Sequence, residues 1–153
     1  SPKPASNTTP TAKAVQDVGG VEYVVIGFDK GSAEMSAFDR QKLRNLVKNA
    51  KLSNTDSDIK VLAWGDRSYP RKGQTAPKAD RTIADKRAKT IENYVKDELS
   101  FSDVETHNMA ERPGVVSEFL KTDDYTAKRT FEKDLATAAG DNSSQAVVII
   151  DKP

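Results

Sequence analysis

The chain has 153 residues, enough for one domain and a tail. Hydrophobic residues make up 36% and charged residues 31%, so it can bury one modest core. A formal net charge of +1, from 24 Lys+Arg against 23 Asp+Glu, removes any whole-molecule electrostatic case for nucleic acid or a membrane surface. With no cysteine, a disulfide framework and a thiolate metal site are both excluded.

Residues 1–20, SPKPASNTTPTAKAVQDVGG, are rich in Pro, Ser, Thr and Ala and offer little to bury. They read as a flexible tether, or as a remnant with a frayed end, and the abrupt start reads as a mature or trimmed one. The longest apolar runs, YVVIGF and AVVII, fall far short of the ~20 residues of a membrane helix. Membrane attachment is therefore expected only through an anchor outside this chain.

VEYVVIGFD at 21–29 is β-branched and aromatic, which predicts a strand. Ser36 opens an S-x-x-D cap, and Leu43, Leu46, Val47 and Ala50 recur at helical spacing, which predicts a helix over 37–51. IKVLAW at 59–64 is a second strand. The stretch 65–81 is long for a loop in a compact domain, and such loops are usually functional. Thr82 and Asp85 form another cap pair, with an apolar stripe through Ala84, Ala88, Ile91 and Val95, so a helix is expected over 83–98. SDVETHNM at 102–109 reads as a third strand. Segments 115–121 and 125–139 read as helical, the second ending at Gly140. QAVVIID reads as the last strand. The order β-α-β-α-β-(α-α)-β suggests one sheet with its helices on one face.

Motifs for catalysis and metal binding are lacking. His107 is the only histidine and has no second ligand at metal spacing. NTDSD at 54–58 lacks the Gly and Glu that an EF-hand loop requires. No phosphate-cradling glycine motif occurs, and no nucleophile–base set is signalled. The chain is therefore expected not to be an enzyme and to use no cofactor or metal.

One pair of residues does suggest chemistry. Asp66 ends a strand and Arg87 lies early in the next helix, and both are expected to face one surface groove. A carboxylate and a guanidinium held there make a clamp for a zwitterion: one takes an ammonium, the other a carboxylate. A plain surface salt bridge, worth about 0–1 kcal/mol, explains the same spacing. Arg67, Arg71, Lys72, Lys78 and Arg81 form either a positive rim or a solvated basic loop. Trp64 either stacks on a sugar beside the groove or is half-buried core.

Several stretches together resemble the OmpA-like C-terminal domain family. VVIGFDKGSAEMSAFDRQKLRNLVKNAK resembles its opening strand, loop and helix. AWGD at 63–66 resembles its G-[HY]-T-D strand end, DRTIADKRAKTIENYV at 80–95 its N-x-x-L-S-x-x-R-A-x-x-V-x-x-Y-L helix, and MAERP at 109–113 its G-E-x-x-P stretch. The resemblance covers 21–153 and implies an α+β domain: a four-stranded mixed sheet, β-α-β-α-β-(α)-β, with helices packed on one face, after a 1–20 tether. It further implies non-catalytic binding to the diaminopimelate of peptidoglycan stem peptides, in the periplasm and associated with the outer membrane, as in lipoproteins that anchor the envelope to the cell wall. By that resemblance Asp66 and Arg87 are the ligand groups, and Asp80, Trp64 and Arg81 complete the expected site. The chain departs from the pattern with Ala63 and Gly65 for the family's Gly and Thr, and with Asp80 for its Asn. The alternative is a degenerate groove on a scaffold that binds a protein of an envelope or secretion complex.

Overall fold

The computed structural model describes residues 15–18, 21–52, 58–67, 76–111, 116–140 and 143–151. Its strands are β1 (Gln16–Val18), β2 (Val21–Gly27), β3 (Ile59–Ala63), β4 (Val104–Asn108) and β5 (Gln145–Asp151). Its α-helices are α1 (Ala37–Leu52), α2 (Lys78–Asn93) and α3 (Tyr125–Ala139). A π-helical turn over Tyr94–Glu98 prolongs α2, and a 3-10 turn covers Val116–Phe119.

The four expected strands form a mixed sheet, and β1 adds a three-residue edge strand within the expected tether. The spatial order is β1-β2-β5-β3-β4. β5 is last in the chain yet lies between β2 and β3, antiparallel to both, while β4 runs parallel to β3. The register pairs Gly27 with Gln145, and Ala63 with both Ala146 and Asn108. The C-terminal ends of β2, β3 and β4 therefore meet the start of β5 at one end of the sheet.

The helices cover both faces, which corrects the one-face expectation. α1 and α2 pack Leu43, Leu46, Val47, Ala88 and Ile91 onto Val24, Ile26, Val61 and Val148. α3 packs Phe131, Leu135 and Ala139 onto the other face, against Tyr23, Leu62, Val147 and Ile149. The physical reason lies in the strands: AVVII is apolar at every position because both sides of β5 are covered. Tyr23 meets Phe131 edge-on, and its hydroxyl donates to Asp134 Oδ2 at 2.6 Å. Burial, aided by that bond and by the Asp134 charge, pushes the Tyr23 hydroxyl pKa up.

Caps explain the start of α1 and both ends of α3. The Asp39 N–H donates to Ser36 Oγ, as the S-x-x-D pattern predicts. Asp124 accepts from the N–H groups of Thr126 and Ala127 and starts α3. Gly140 closes it at φ 67°, a conformation natural to glycine. α2 differs from expectation. It begins at Lys78 after Pro77, so the Thr82–Asp85 pair lies inside the helix rather than capping it. No side chain caps this end, and Asp80 is the acid of its first turn, where the helix dipole favours a carboxylate.

Candidate functional site

The strand ends and the start of α2 converge on one ion pair. Asp66 follows β3 and its Oδ1 accepts from Arg87 Nη2 at 2.5 Å. Ser144 Oγ also donates to Oδ1, at 2.9 Å, and the Gly31 N–H donates to Oδ2 at 2.7 Å. Burial alone raises the carboxyl pKa. The hydrogen bonds from Arg87, Gly31 and Ser144, with the Arg87 charge, outweigh it and hold Asp66 below the ordinary carboxylate value.

Arg87 is more deeply placed than the sequence reading expects. Its side chain is 0% exposed, against 23% for Asp66. Nε donates to the Ser32 carbonyl at 2.8 Å, Nη1 to the Trp64 carbonyl at 3.1 Å, and Nη2 to the Asp29 carbonyl at 3.1 Å. With Asp66, these bonds use four of the five guanidinium N–H donors. The Phe28 ring lies 5.1 Å from the guanidinium carbon. Arg87 thus ties the loop after β2 to the end of β3 from the middle of α2. This corrects the expectation of two surface-facing clamp arms: the structure brings the two residues together, but they close on each other.

An open groove of about 510 Å³ adjoins the pair. Gly31 and Asp66 form one side, and Lys78, Ala79, Asp80, Thr82, Ile83 and Lys86 of α2 form the other. A larger hollow of about 610 Å³, near Met35, Arg40 and Tyr94, does not include Asp66 in its lining, and Arg87 lines neither space. Close approach of α2 explains Gly65. A Cβ there would lie 2.7 Å from Asp80 Cβ and 3.0 Å from Asp80 Cα, so any larger residue, including a threonine, requires the helix start to shift.

The remaining expected site residues divide. Asp80 lines the groove at 8% exposure. Trp64 does not reach it: its side chain is 2% exposed and packs with Leu62 and Met109 on the α3 side of the sheet, which corrects its assignment to sugar stacking. Only its carbonyl serves the site, through Arg87. Arg81 also turns away, donating from Nη1 to the Ala76 carbonyl at 2.9 Å, while its own carbonyl accepts from Asn108. Arg67 is exposed, and Arg71 and Lys72 lie outside the described residues. The sequence reading missed Ser144 and the N–H of Gly31. Neither belongs to a pattern, although φ values of 55° and 73° mark both as turn positions.

Elsewhere, His107 bonds Glu105 at 2.6 Å and packs on Phe119, and Asp58 pairs with Lys121 at 2.9 Å. Among the described residues no cluster of three or more His, Cys, Asp or Glu could hold a metal, and no helix is long and apolar enough to cross a membrane.

No protein-family model matches the sequence, and no curated protein does. Solved structures do match. The OmpA-like domain of FopA1 from Francisella tularensis subsp. tularensis SCHU S4 is 15% identical, with a TM-score of 0.55 over 90% of this chain and 79% of that one. The peptidoglycan-associated lipoprotein from Burkholderia pseudomallei is 12% identical, with a TM-score of 0.52 over 83% of this chain and 89% of that one. The periplasmic domain of Helicobacter pylori MotB is 9% identical, with a TM-score of 0.52 over 90% and 80%. The chain has the OmpA-like fold.

Proposed function

We propose that this chain is a non-catalytic, peptidoglycan-associating domain of the cell envelope, and that its groove receives the amino-acid terminus of diaminopimelate in stem peptides. The observation that carries the reading is the meeting of Asp66 and Arg87, 21 residues apart in sequence, at the edge of an open groove. These are the two positions that the OmpA-like resemblance assigns to the ligand, on a fold shared with a peptidoglycan-associated lipoprotein. In this reading Asp66 meets the ligand ammonium, Arg87 supplies positive charge from behind, and exposed Lys78 and Lys86 offer partners to a carboxylate. The protein would work in the periplasm, associated with the outer membrane, with the segment before β1 as its tether.

Co-sedimentation with purified sacculi tests this. The chain should pellet with sacculi and be released by excess diaminopimelate, and a chain that stays in the supernatant sinks the reading. A second reading has its own support. Arg87 spends four donors within the protein and Trp64 is in the core, as suits a scaffold whose groove has given up its ligand. The partner would then be a protein of an envelope or secretion complex.

A further inference from the structure

Asp80 lies in the first turn of α2, only 8% exposed, and lines the groove beside Asp66. Its Cβ and Cγ press against Gly65, the residue before Asp66. Among the described residues no donor bonds its carboxylate and no cation pairs with it. Asp66 is the reverse case: one guanidinium and two further donors already serve it. A carboxylate this deep without a partner is unfavourable, and the field of the helix start offsets it only in part. The Asp66–Arg87 pair is neutral as a unit, and although Lys78 and Lys86 also line the groove, neither pairs with Asp80, so Asp80 is the carboxylate there without a contacting partner among the described residues.

We propose that Asp80 joins Asp66 in recognising a cation in this groove: its carboxylate takes a primary ammonium and so selects ligands whose amine is free. The proposal rests on the reading of the groove as a stem-peptide site and adds the residue that sets its selectivity. Among the described residues, nothing donates to either Asp80 oxygen. Asp66 Oδ2, which takes a single bond from Gly31, has a lone pair left for the same ammonium. An asparagine at position 80 would put two N–H donors or a weak acceptor where the ligand presents three donors, so the carboxylate is the matched group.

The test uses the full chain and three probes: the tripeptide L-Ala-γ-D-Glu-meso-diaminopimelate, the same peptide acetylated only on the free amine of its diaminopimelate, and ethylammonium chloride. By calorimetry, acetylation should weaken wild-type binding about tenfold or more. Asp80→Asn should weaken binding of the free peptide about tenfold or more and shrink the acetylation effect below about threefold. Its thermal midpoint should move by no more than about 3 °C, because loss of the helix-dipole attraction and relief of the buried charge oppose each other. An Asp80→Asn chain that binds and discriminates like wild type overturns the proposal. Ethylammonium separates it from the reading beneath it, with the Ala79 and Asp80 amide resonances as the readout. If no peptide binds, yet ethylammonium shifts those resonances in wild type and not in Asp80→Asn, the stem-peptide reading fails and the cation site stands. If ethylammonium shifts neither, the cation site is overturned as well.

Discussion

Arg87 and Asp80 stand two turns apart on one helix, and both are buried charges beside one groove. Arg87 makes four hydrogen bonds to two separate segments, the loop after β2 and the end of β3, whereas Asp80 makes none through its side chain among the described residues. Burying a charge is unfavourable unless partners replace its water. The fold supplies those partners to the arginine and withholds them from the aspartate. A motif position can therefore become a structural keystone, while the carboxylate at the departure, Asp80, is the one the proposed cation site would use.

Arg87→Met should break this contrast most forcefully. The thioether keeps much of the volume but leaves the partly exposed Asp66 without its counter-charge and three carbonyls without their donor. Removing one partner of a buried pair costs about 3–5 kcal/mol, and denaturant titration should show a loss of that size. A loss under about 1 kcal/mol would place Arg87 among ordinary surface cations and end the distinction.

Asp66→Asn is next, at about 1.5–3 kcal/mol near neutral pH, for loss of hydrogen bonds to charged groups. Its pH dependence sharpens the comparison. The folded pKa of Asp66 is lowered, so its contribution is full above the unfolded carboxylate value of about 4 and is lost as pH falls through the folded pKa. The gap between wild type and Asp66→Asn should thus be constant near neutrality and close in acid. Asp58, lowered by Lys121 against its own burial, loses stability in the same direction, so the difference between the two proteins isolates Asp66 where the wild-type curve does not. A gap that persists unchanged to about pH 2 would show that ionisation of Asp66 is not what the pair uses.

Gly65→Ala probes the packing that holds Asp80 in place. The new methyl meets the Asp80 Cβ at 2.7 Å and its Cα at 3.0 Å, so backbone must yield. The overpacking should cost about 1–3 kcal/mol. It should also weaken ligand binding by displacing the first turn of α2. Unchanged melting would mean that the helix start moves freely and that Asp80 is not fixed at the groove.

What the sequence disclosed and what it hid follow from which interactions leave a pattern. The β-branched runs at 21–27 and 59–63 and the spacing of Leu43, Leu46, Val47 and Ala50 are repeated signals, and each gives its element within one or two residues. Trp64 continues the alternation from Leu62 and so faces α3, a placement that period two implies but that aromatic chemistry obscured. α2 starts earlier than its internal Thr-Asp pair suggests, because Pro77 and the first-turn acid Asp80 set its end. The depth of Arg87 rests on carbonyls of Asp29, Ser32 and Trp64, and every residue has a carbonyl, so no spacing announces it.

Lys89→Ala gives the smallest effect and calibrates the rest. Lys89 lies two positions beyond Arg87 on α2, 68% exposed, and its Nζ stands 3.8 Å from Asp85 one turn earlier. Solvent screens this pair, and alanine is at least as good a helix former as lysine, so stability should change by no more than about 0.5 kcal/mol. The comparison with Arg87→Met then isolates burial, because the helix, the lost positive charge and the presence of an aspartate partner are common to both. Raising the salt should erase whatever small effect Lys89→Ala has and leave most of the Arg87→Met loss, since short buried contacts are screened far less than exposed ones. If the two substitutions cost the same, or fade together with salt, the loss at Arg87 comes from the general field of the helix, and the keystone role assigned to its four hydrogen bonds is wrong.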